Sequence, residues 1–220
     1  MMENLPFLSI LIALPLIGAL AILLLARGDD ETVARNAKQV ALANSVVVFL
    51  LSLLLWTGFD RQDPGFQFTE EYTWLAQYNI AYRVGVDGIS VLFVLLSTLL
   101  TPLCILSAWS AVKTRVKEYM VAFLVLEALM IGTFVALDLV LFYVFFEAVL
   151  IPMFLIIGVW GGPRRVYSAF KFFLYTLVGS VLMLVAIMTL LFTQGTADIT
   201  VLIEGDLGFA LNLQIWLWLA

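Results

Sequence analysis

The chain has 220 residues, of which 64% are hydrophobic and 12% are charged, whereas an ordinary soluble domain has about 25% charged residues. The 11 basic and 16 acidic side chains are too few to cover a soluble globule of this length, so the composition indicates an integral membrane protein. The absence of histidine and the single cysteine argue against histidine-held haem, iron–sulfur clusters, Cys/His zinc sites and any internal disulfide. The net charge of -5 argues against nucleic-acid binding. We therefore expect no metal or cofactor on this chain.

Six stretches are apolar for about the 20 residues that a membrane span needs, and a seventh begins near Leu211. They predict an all-α, polytopic transmembrane helix bundle, because lipid does not tolerate unpaired backbone polar groups. Since the seventh stretch covers only about half a crossing, we expect residues 1–220 to be one membrane domain, the N-terminal portion of a longer protein. The six spans are predicted at Leu5–Ala26, Val40–Phe59, Ile89–Ala111, Tyr119–Leu137, Leu139–Trp160 and Ser168–Thr193.

The basic residues predict the orientation of the bundle. Eight Lys and Arg residues lie in the connections after the first, third and fifth spans, and two, Arg61 and Arg83, lie in the alternate connections. Because cytoplasmic loops are enriched in Lys and Arg, we expect the N-terminus outside. The long connection, residues 60–86, is then an outer-face loop, and its aromatic residues suggest that it lies on the bilayer.

Three charged residues remain inside apolar spans, and Glu147 is the most isolated of them. An ionisable group at that depth costs at least about 2.5 kcal/mol, so a functional role is the first hypothesis. Apolar surroundings favour the protonated carboxyl, which prepares the group to take up and release a proton. Pro152 leaves the carbonyl of Ala148 without its helical partner, and it predicts a helix break near this site. The alternative is a neutral glutamic acid that only holds helices together.

Glu127 and Lys171 are the other two buried charges, and each has two interpretations. Glu127 lies at a depth similar to that of Glu147 on the preceding helix, so the two carboxyls either share a proton or serve packing. Lys171 either snorkels toward the cytoplasm or belongs to a polar stripe with Ser168 and Tyr175. A direct ion pair between Glu147 and Lys171 is not expected, because they lie at different depths. Asp138, between two spans, is interpreted as a helix cap.

Three motifs resemble the subunit M family of proton-pumping NADH:quinone oxidoreductase, respiratory complex I. The most specific one is the run LVLFYVFFEAVLIPMFLIIGVWGG, residues 139–162. The others are YRVGVDGIS, residues 82–90, and FKFFLYTLVGS, residues 170–180. The resemblance covers the whole chain.

The resemblance implies a multi-pass, antiporter-like subunit of the membrane arm in the bacterial inner membrane, with the other membrane-arm subunits and lipid as partners. It implies a translocase in which NADH, FMN, iron–sulfur clusters and quinone belong to partner subunits. Glu147 matches the family's glutamate on helix five, whose expected partner is a lysine on helix seven. Lys171 matches a lysine common in bacterial members, and Glu127 falls where bacterial relatives often carry an acid.

The leading hypothesis is a subunit that carries protons through Glu147, with Lys171 and Glu127 as relay members. A subunit of a Na⁺/H⁺ antiporter or of a membrane-bound hydrogenase is the alternative with the same ancestry. A third possibility is a passive membrane scaffold, whose buried charges only fix helix packing.

Overall fold

The computed structural model describes residues 6–205 and 208–220, and it is dominated by six helices long and apolar enough to cross a membrane. The predicted polytopic helix bundle is confirmed, with two short further helices and one β-hairpin. Leu5, where the first span was predicted to begin, lies outside the described residues. The helices are α1 (Phe7–Leu25), α2 (Asp30–Gly58), α3 (Ser90–Ala111), α4 (Val116–Val135), α5 (Leu139–Trp160), α6 (Arg165–Gln194), α7 (Ile199–Glu204) and α8 (Leu211–Leu219), and the strands are β1 (Gln67–Leu75) and β2 (Ile80–Val86).

Helix α2 begins ten residues before the predicted span at Val40, at Asp30. The side chain of Asp29 accepts a hydrogen bond from the backbone N–H of Thr32 at 3.2 Å, which caps the helix. The hydrogen bonds from Thr32 hold the pKa of Asp29 below its usual value. The polar first turns of α2 are therefore a capped helix whose Val33, Ala34 and Ala37 pack against the buried side chains of the bundle, where the hydropathy pattern predicts only a connection.

Helix α4 is the centre of the bundle and packs against α1, α2, α3 and α5. Half of the apolar stretch of α4 is buried inside the protein, whereas 17% of the apolar stretch of α5 and 22% of that of α6 are buried. Helix α5 lies between α4 and α6, and α6 exposes most of its surface. In the described part of the chain, α1 to α4 therefore form a packed block of four helices, α5 packs on α4 at one side of this block, and α6 packs on α5.

The 60–86 connection contains a β-hairpin that the sequence did not predict. Strands β1 and β2 pair antiparallel, and the tight link includes Asn79 in the left-handed region. Strand β1 is largely exposed, whereas most of β2 is buried. The backbone N–H of Leu137 donates to the carbonyl of Arg83 at 2.8 Å, which joins β2 to the α4–α5 connection. The hairpin is thus built onto one end of the bundle.

The opposite end of the bundle is held by basic side chains. Lys117 donates to the carbonyls of Leu23 and Ala26 at the end of α1, at 2.9 and 3.1 Å. Lys38 donates to the carbonyl of Trp109 near the end of α3, at 2.6 Å. Cations at these positions satisfy carbonyl groups that have no helical partner and complement the helix dipole. The contacts bring the basic connections together at one end, away from the hairpin.

Helix α5 does not break at Pro152, contrary to the sequence prediction. It is continuous from Leu139 to Trp160, with Pro152 buried inside it. A proline removes one backbone hydrogen bond, but packing by neighbouring helices allows a membrane helix to continue through it. The carbonyl of Ala148 still lacks the N–H donor that residue 152 would supply. The free carbonyl of Ala148 is therefore present, although the helix does not unwind at this point.

The predicted seventh span corresponds to α8, Leu211–Leu219. It is preceded by the short helix α7, which the hydropathy pattern does not indicate. Asp198 caps α7 by accepting from the backbone N–H of Thr200 at 2.9 Å. Backbone hydrogen bonds from Leu139 to Ala197 and from Ile199 to Leu137 tie this segment to the α4–α5 connection.

Candidate functional site

Glu147 lies on the face of α5 that is directed at α6. Seven and eleven residues further along that face, Phe154 contacts the rings of Phe170 and Phe173, and Gly158 approaches Ala169. These separations return to almost the same side of an α-helix. Glu147 is half-buried, and its Oε2 atom is buried without a hydrogen-bond partner among the described residues. Glu147 therefore presents a carboxyl group with unused hydrogen-bonding capacity beside α6.

Two hydroxyl side chains, Thr176 and Ser180, lie at the matching level of α6. Glu147 is thirteen residues before the end of α5, and these residues are eleven and fifteen residues into α6. Ser180 is buried, and both hydroxyls donate to carbonyls of their own helix. The sequence reasoning did not select this pair, although their spacing of four residues places them on one face of a helix.

Lys171 is separated from Glu147 both along the bundle and around α6. It lies six residues into α6, about 9 Å from the basic end, whereas Glu147 lies roughly 20 Å from that end. The α5-facing side of α6 carries Ala169 and Ile187, which are buried, and Lys171 is exposed on the opposite side. Its Nζ atom lies 6.0 Å from the ring of Tyr167. The structure gives no ion pair between Lys171 and Glu147 within residues 6–205.

Glu127 is almost fully buried, with 1% of its surface exposed, at the middle of α4. Neither of its carboxyl oxygens has a hydrogen-bond partner in the described part of the chain. The hydroxyl of Thr101, on α3, is the polar group that interacts with it. That hydroxyl donates its hydrogen to the carbonyl of Ser97 at 3.0 Å. Glu127 is thus an acidic group enclosed by α1 to α4.

Glu127 and Glu147 lie at one depth but face different helices. Each is eight residues from the end of its helix that meets the α4–α5 connection, about 12 Å along the axis. On α4, Gly132 faces Phe145 of α5, whereas Phe134 stacks on Phe93 of α3. Glu127 shares the side of Phe134, seven residues away, and lies about 140° around the helix from Gly132. This geometry favours two separate carboxyl groups over a shared proton.

A partly buried ion cluster at the hairpin end was not predicted from the sequence. It consists of Arg83, Glu71, Asp138 and Asp198, and is called the Arg83 cluster below. The guanidinium of Arg83 lies 2.7 Å from Glu71 Oε1, 3.3 Å from Asp198 Oδ2 and 3.7 Å from Asp138 Oδ2. Asp138 is fully buried and caps α5 as expected, accepting from the N–H groups of Val140 and Leu141, and it also accepts from Ala81.

The charges of the Arg83 cluster act on one another across a region partly shielded from water. Burial raises the pKa of Asp138, and this effect outweighs the backbone hydrogen bonds and the Arg83 charge, which lower it. Although burial alone lowers the pKa of Arg83, its hydrogen bond with Glu71 and the charges of Asp198 and Asp138 raise it. Arg83 therefore remains a cation, and it joins β2 to the connections before α5 and α7.

The comparisons with known proteins cover nearly the whole chain. Residues 32–137 match the family model described as NADH-ubiquinone oxidoreductase chain 4, amino terminus, and residues 136–220 match the model described as NADH:quinone oxidoreductase/Mrp antiporter, TM. NADH-quinone oxidoreductase subunit M of Rhodobacter capsulatus is 60% identical over 205 residues, which are 93% of this chain and 39% of that protein. The chain belongs to the subunit M family of NADH:quinone oxidoreductases.

A further relative and two solved structures are similar to this chain. NADH-ubiquinone oxidoreductase chain 4 of Arabidopsis thaliana is 47% identical over 97% of this chain and 42% of its own length. A chain of respiratory complex I from Thermus thermophilus superposes with a TM-score of 0.79 at 29% identity, covering 96% of this chain and 42% of that chain. A chain of the Mrp complex from Dietzia shares the fold, with a TM-score of 0.75 at 18% identity, over 95% of this chain and 22% of that one.

The chain spans about two fifths of the length of the curated relatives it matches. Its six apolar helices and its family agree with a multi-pass protein of the inner membrane. The lysine on helix seven that the family resemblance implies as the partner of Glu147 is not among residues 172–220, which contain no Lys or Arg. Glu147 therefore has no partner cation on α7 or α8.

Proposed function

We propose that the chain is the N-terminal portion of a proton-translocating membrane-arm subunit of NADH:quinone oxidoreductase, with Glu147 as its central proton carrier. The observation that carries the proposal is a carboxyl group about 12 Å inside α5 whose Oε2 atom is buried and unpartnered among the described residues. A carboxyl group in such a position carries no charge when it is protonated. When it is ionised, its buried oxygen has no hydrogen-bond partner, which costs free energy. A cation that approaches it favours release of the proton, and its withdrawal favours uptake.

The redox chemistry belongs, in this proposal, to partner subunits of the complex. They bind NADH, FMN, iron–sulfur clusters and quinone, and other membrane-arm subunits flank this one. The orientation with the N-terminus outside places the basic end in the cytoplasm. Lys171, nearest that end among the three charged residues inside the apolar spans, then lies on the cytoplasmic side of Glu147 and on the far side of α6. The gap of about 11 Å along the axis calls for water between them.

The proposal is tested with Glu147→Gln in the complete complex in sealed membrane vesicles. The amide keeps the size of the side chain and cannot release a proton, so we expect fewer protons translocated per NADH oxidised. Positioned proton carriers accelerate transfer by roughly 10²-fold or more, which makes the loss through this subunit nearly complete. Glu118→Gln, an exposed acid in the first turn of α4, is the matched control and should translocate normally.

An unchanged ratio of protons to NADH in the Glu147→Gln complex would contradict the proposal. If that variant also unfolds at a lower temperature, the result supports a passive scaffold in which Glu147 only holds helices together. A loss of translocation with normal assembly supports the proton carrier.

The second candidate function is a subunit of a cation/proton antiporter or of a membrane-bound hydrogenase. It is favoured by the match of residues 136–220 to a model whose description includes the Mrp antiporter. Purification of the complex through a tag on this chain separates the two. We expect NADH-oxidising subunits to copurify, and their absence would favour the antiporter.

A further inference from the structure

Glu127 has a setting different from that of Glu147, and the proposed function above assigns it no role. It faces α3, inside the block formed by α1 to α4, and 1% of its surface is exposed. Its two oxygens have no hydrogen-bond partner within the described residues. A buried carboxylate with no partner costs several kcal/mol. Its ionised form is therefore strongly disfavoured in this enclosure.

The hydroxyl of Thr101 indicates which form of Glu127 fits the enclosure. Its hydrogen is already donated to the carbonyl of Ser97 at 3.0 Å. While that bond is made, the Thr101 oxygen is left to accept a hydrogen bond from Glu127. A carboxylate has no hydrogen to donate, whereas a protonated carboxyl has one. The site is thus complementary to glutamic acid that carries its proton.

No charged group compensates a carboxylate at this position within residues 6–205. Helices α1 and α3 contain no Asp, Glu, Lys or Arg, and those of α2 lie in its first three turns. On α4, Lys117 and Glu118 lie in the first turn, and Glu147 of α5 faces α6. Two further titratable groups of the neighbourhood, Cys104 and Tyr119, interact with each other. In this part of the chain, Glu127 is therefore influenced by burial and by Thr101 alone.

Hydroxyl side chains continue from Glu127 toward the hairpin end. Thr101, Ser97 and Thr98 lie on the buried side of α3, and Thr98 Oγ1 lies 2.7 Å from Ser52 Oγ of α2. Ser52 is six residues from the end of α2, about 9 Å along the axis. We call these four residues the hydroxyl track. It places polar oxygens between Glu127 and the hairpin end, in a region otherwise packed with apolar side chains.

We propose that Glu127 is a second proton-binding site, separate from Glu147, which holds its proton toward Thr101 and exchanges it along the hydroxyl track. On release, the carboxyl O–H bond breaks, the proton passes to a water molecule that enters along the track, and a carboxylate remains until another proton is taken up. This inference rests on the proposed function, because it assigns a further site to a subunit that moves protons.

The test uses the complete complex in sealed vesicles, with Glu127→Gln, Glu147→Gln and the control Glu118→Gln measured in parallel. The amide introduced by Glu127→Gln can still donate a hydrogen bond to Thr101, so a purely structural glutamic acid is well replaced by it. For a proton-binding site we expect Glu127→Gln to assemble and oxidise NADH but to lose most of the proton translocation through this subunit. The carbonyl stretch of a protonated carboxyl should also disappear from its infrared spectrum at neutral pH.

Normal translocation by Glu127→Gln would overturn the inference, and so would an unchanged carboxyl band. If that variant fails to assemble, Thr101→Val decides, because valine keeps the volume and removes the acceptor. We then expect the carboxyl band to shift and the pH dependence of translocation to change, and an unchanged band and pH profile would contradict the inference. Loss of translocation in Glu147→Gln alone refutes the Glu127 site and supports the proposed function, whereas normal translocation in both variants refutes both.

Discussion

At the scale of single residues, ionisable side chains divide into those that hold the fold and those that remain unsatisfied. Asp138 accepts hydrogen bonds from three backbone N–H groups, and Arg83 lies beside three carboxylates, although its Nε and Nη1 atoms are buried without a hydrogen-bond partner among the described residues. Glu127 and Glu147 each have at least one buried oxygen without a hydrogen-bond partner among the described residues. Because their surroundings do little to stabilise these buried carboxyl groups, a role in binding and releasing protons is the better explanation for them.

The Arg83 cluster predicts a large loss of stability for Arg83→Met. The methionine keeps much of the side chain's volume but leaves Asp138 buried without a cation, and breaking a buried pair in this way costs about 3–5 kcal/mol. We expect a clearly lower unfolding temperature in detergent. The matched control is Arg61→Met, which removes an exposed cation 5.0 Å from the ring of Trp56, an interaction worth about 0.5–1 kcal/mol.

Equal, small effects of the two arginine substitutions would contradict a stabilising role for the cluster.

The sequence could not reveal this cluster. Its members at positions 71, 83, 138 and 198 are far apart in the chain, and Asp138 was predicted only as a cap. Spacing reports on residues that share one helix or strand, whereas the cluster depends on how the hairpin folds against two interhelical connections.

At the scale of elements, close packing between α4 and α5 fixes the directions of the two acids. A side chain at Gly132 would have its Cβ atom 2.6 Å from the ring of Phe145, so glycine is needed for this approach of the two helices. The contact orients the α5-facing side of α4 and leaves Glu127 on the side that faces α3. The separation of the two carboxyl groups is therefore a consequence of helix packing.

Gly132→Ala tests this contact. The added methyl group must push the Phe145 ring aside, and such overpacking costs roughly 1–3 kcal/mol. The control is Gly179→Ala on the exposed side of α6, where nothing lies within 4 Å of the new atom. Because alanine is the better helix former, that change should be neutral or stabilising by about 0.5–1 kcal/mol. Thermal unfolding of both variants checks the difference, and a loss of stability in Gly179→Ala alone would refute the packing.

Hydropathy predicted the existence of all six long helices, because each is a continuous apolar run. It could not predict the polar first turns of α2, which are helical through the cap at Asp29 and not through contact with lipid. The hairpin was also missed, since β1 contains charged and aromatic residues together and its pairing depends on β2. The spacing of Ser168, Lys171 and Tyr175 does put them on one side of α6, but that side faces away from Glu147.

At the scale of the whole molecule, the two ends and the middle of the bundle carry different charges. Lysines satisfy helix carbonyls at one end, and the Arg83 cluster joins the hairpin to the other. The middle contains two acids at equal depth on opposite sides of the α4–α5 pair. In the proposed function, Glu147 takes up and releases a proton within the membrane during turnover.

Infrared difference spectroscopy of the complete complex, with and without NADH oxidation, measures that step directly. We predict a carboxyl carbonyl band that changes during turnover, shifts in heavy water, persists in Glu118→Gln and is absent from Glu147→Gln. Identical difference spectra for the Glu147→Gln and unaltered complexes would show that the Glu147 carboxyl does not change protonation, and would contradict its role as the proton carrier.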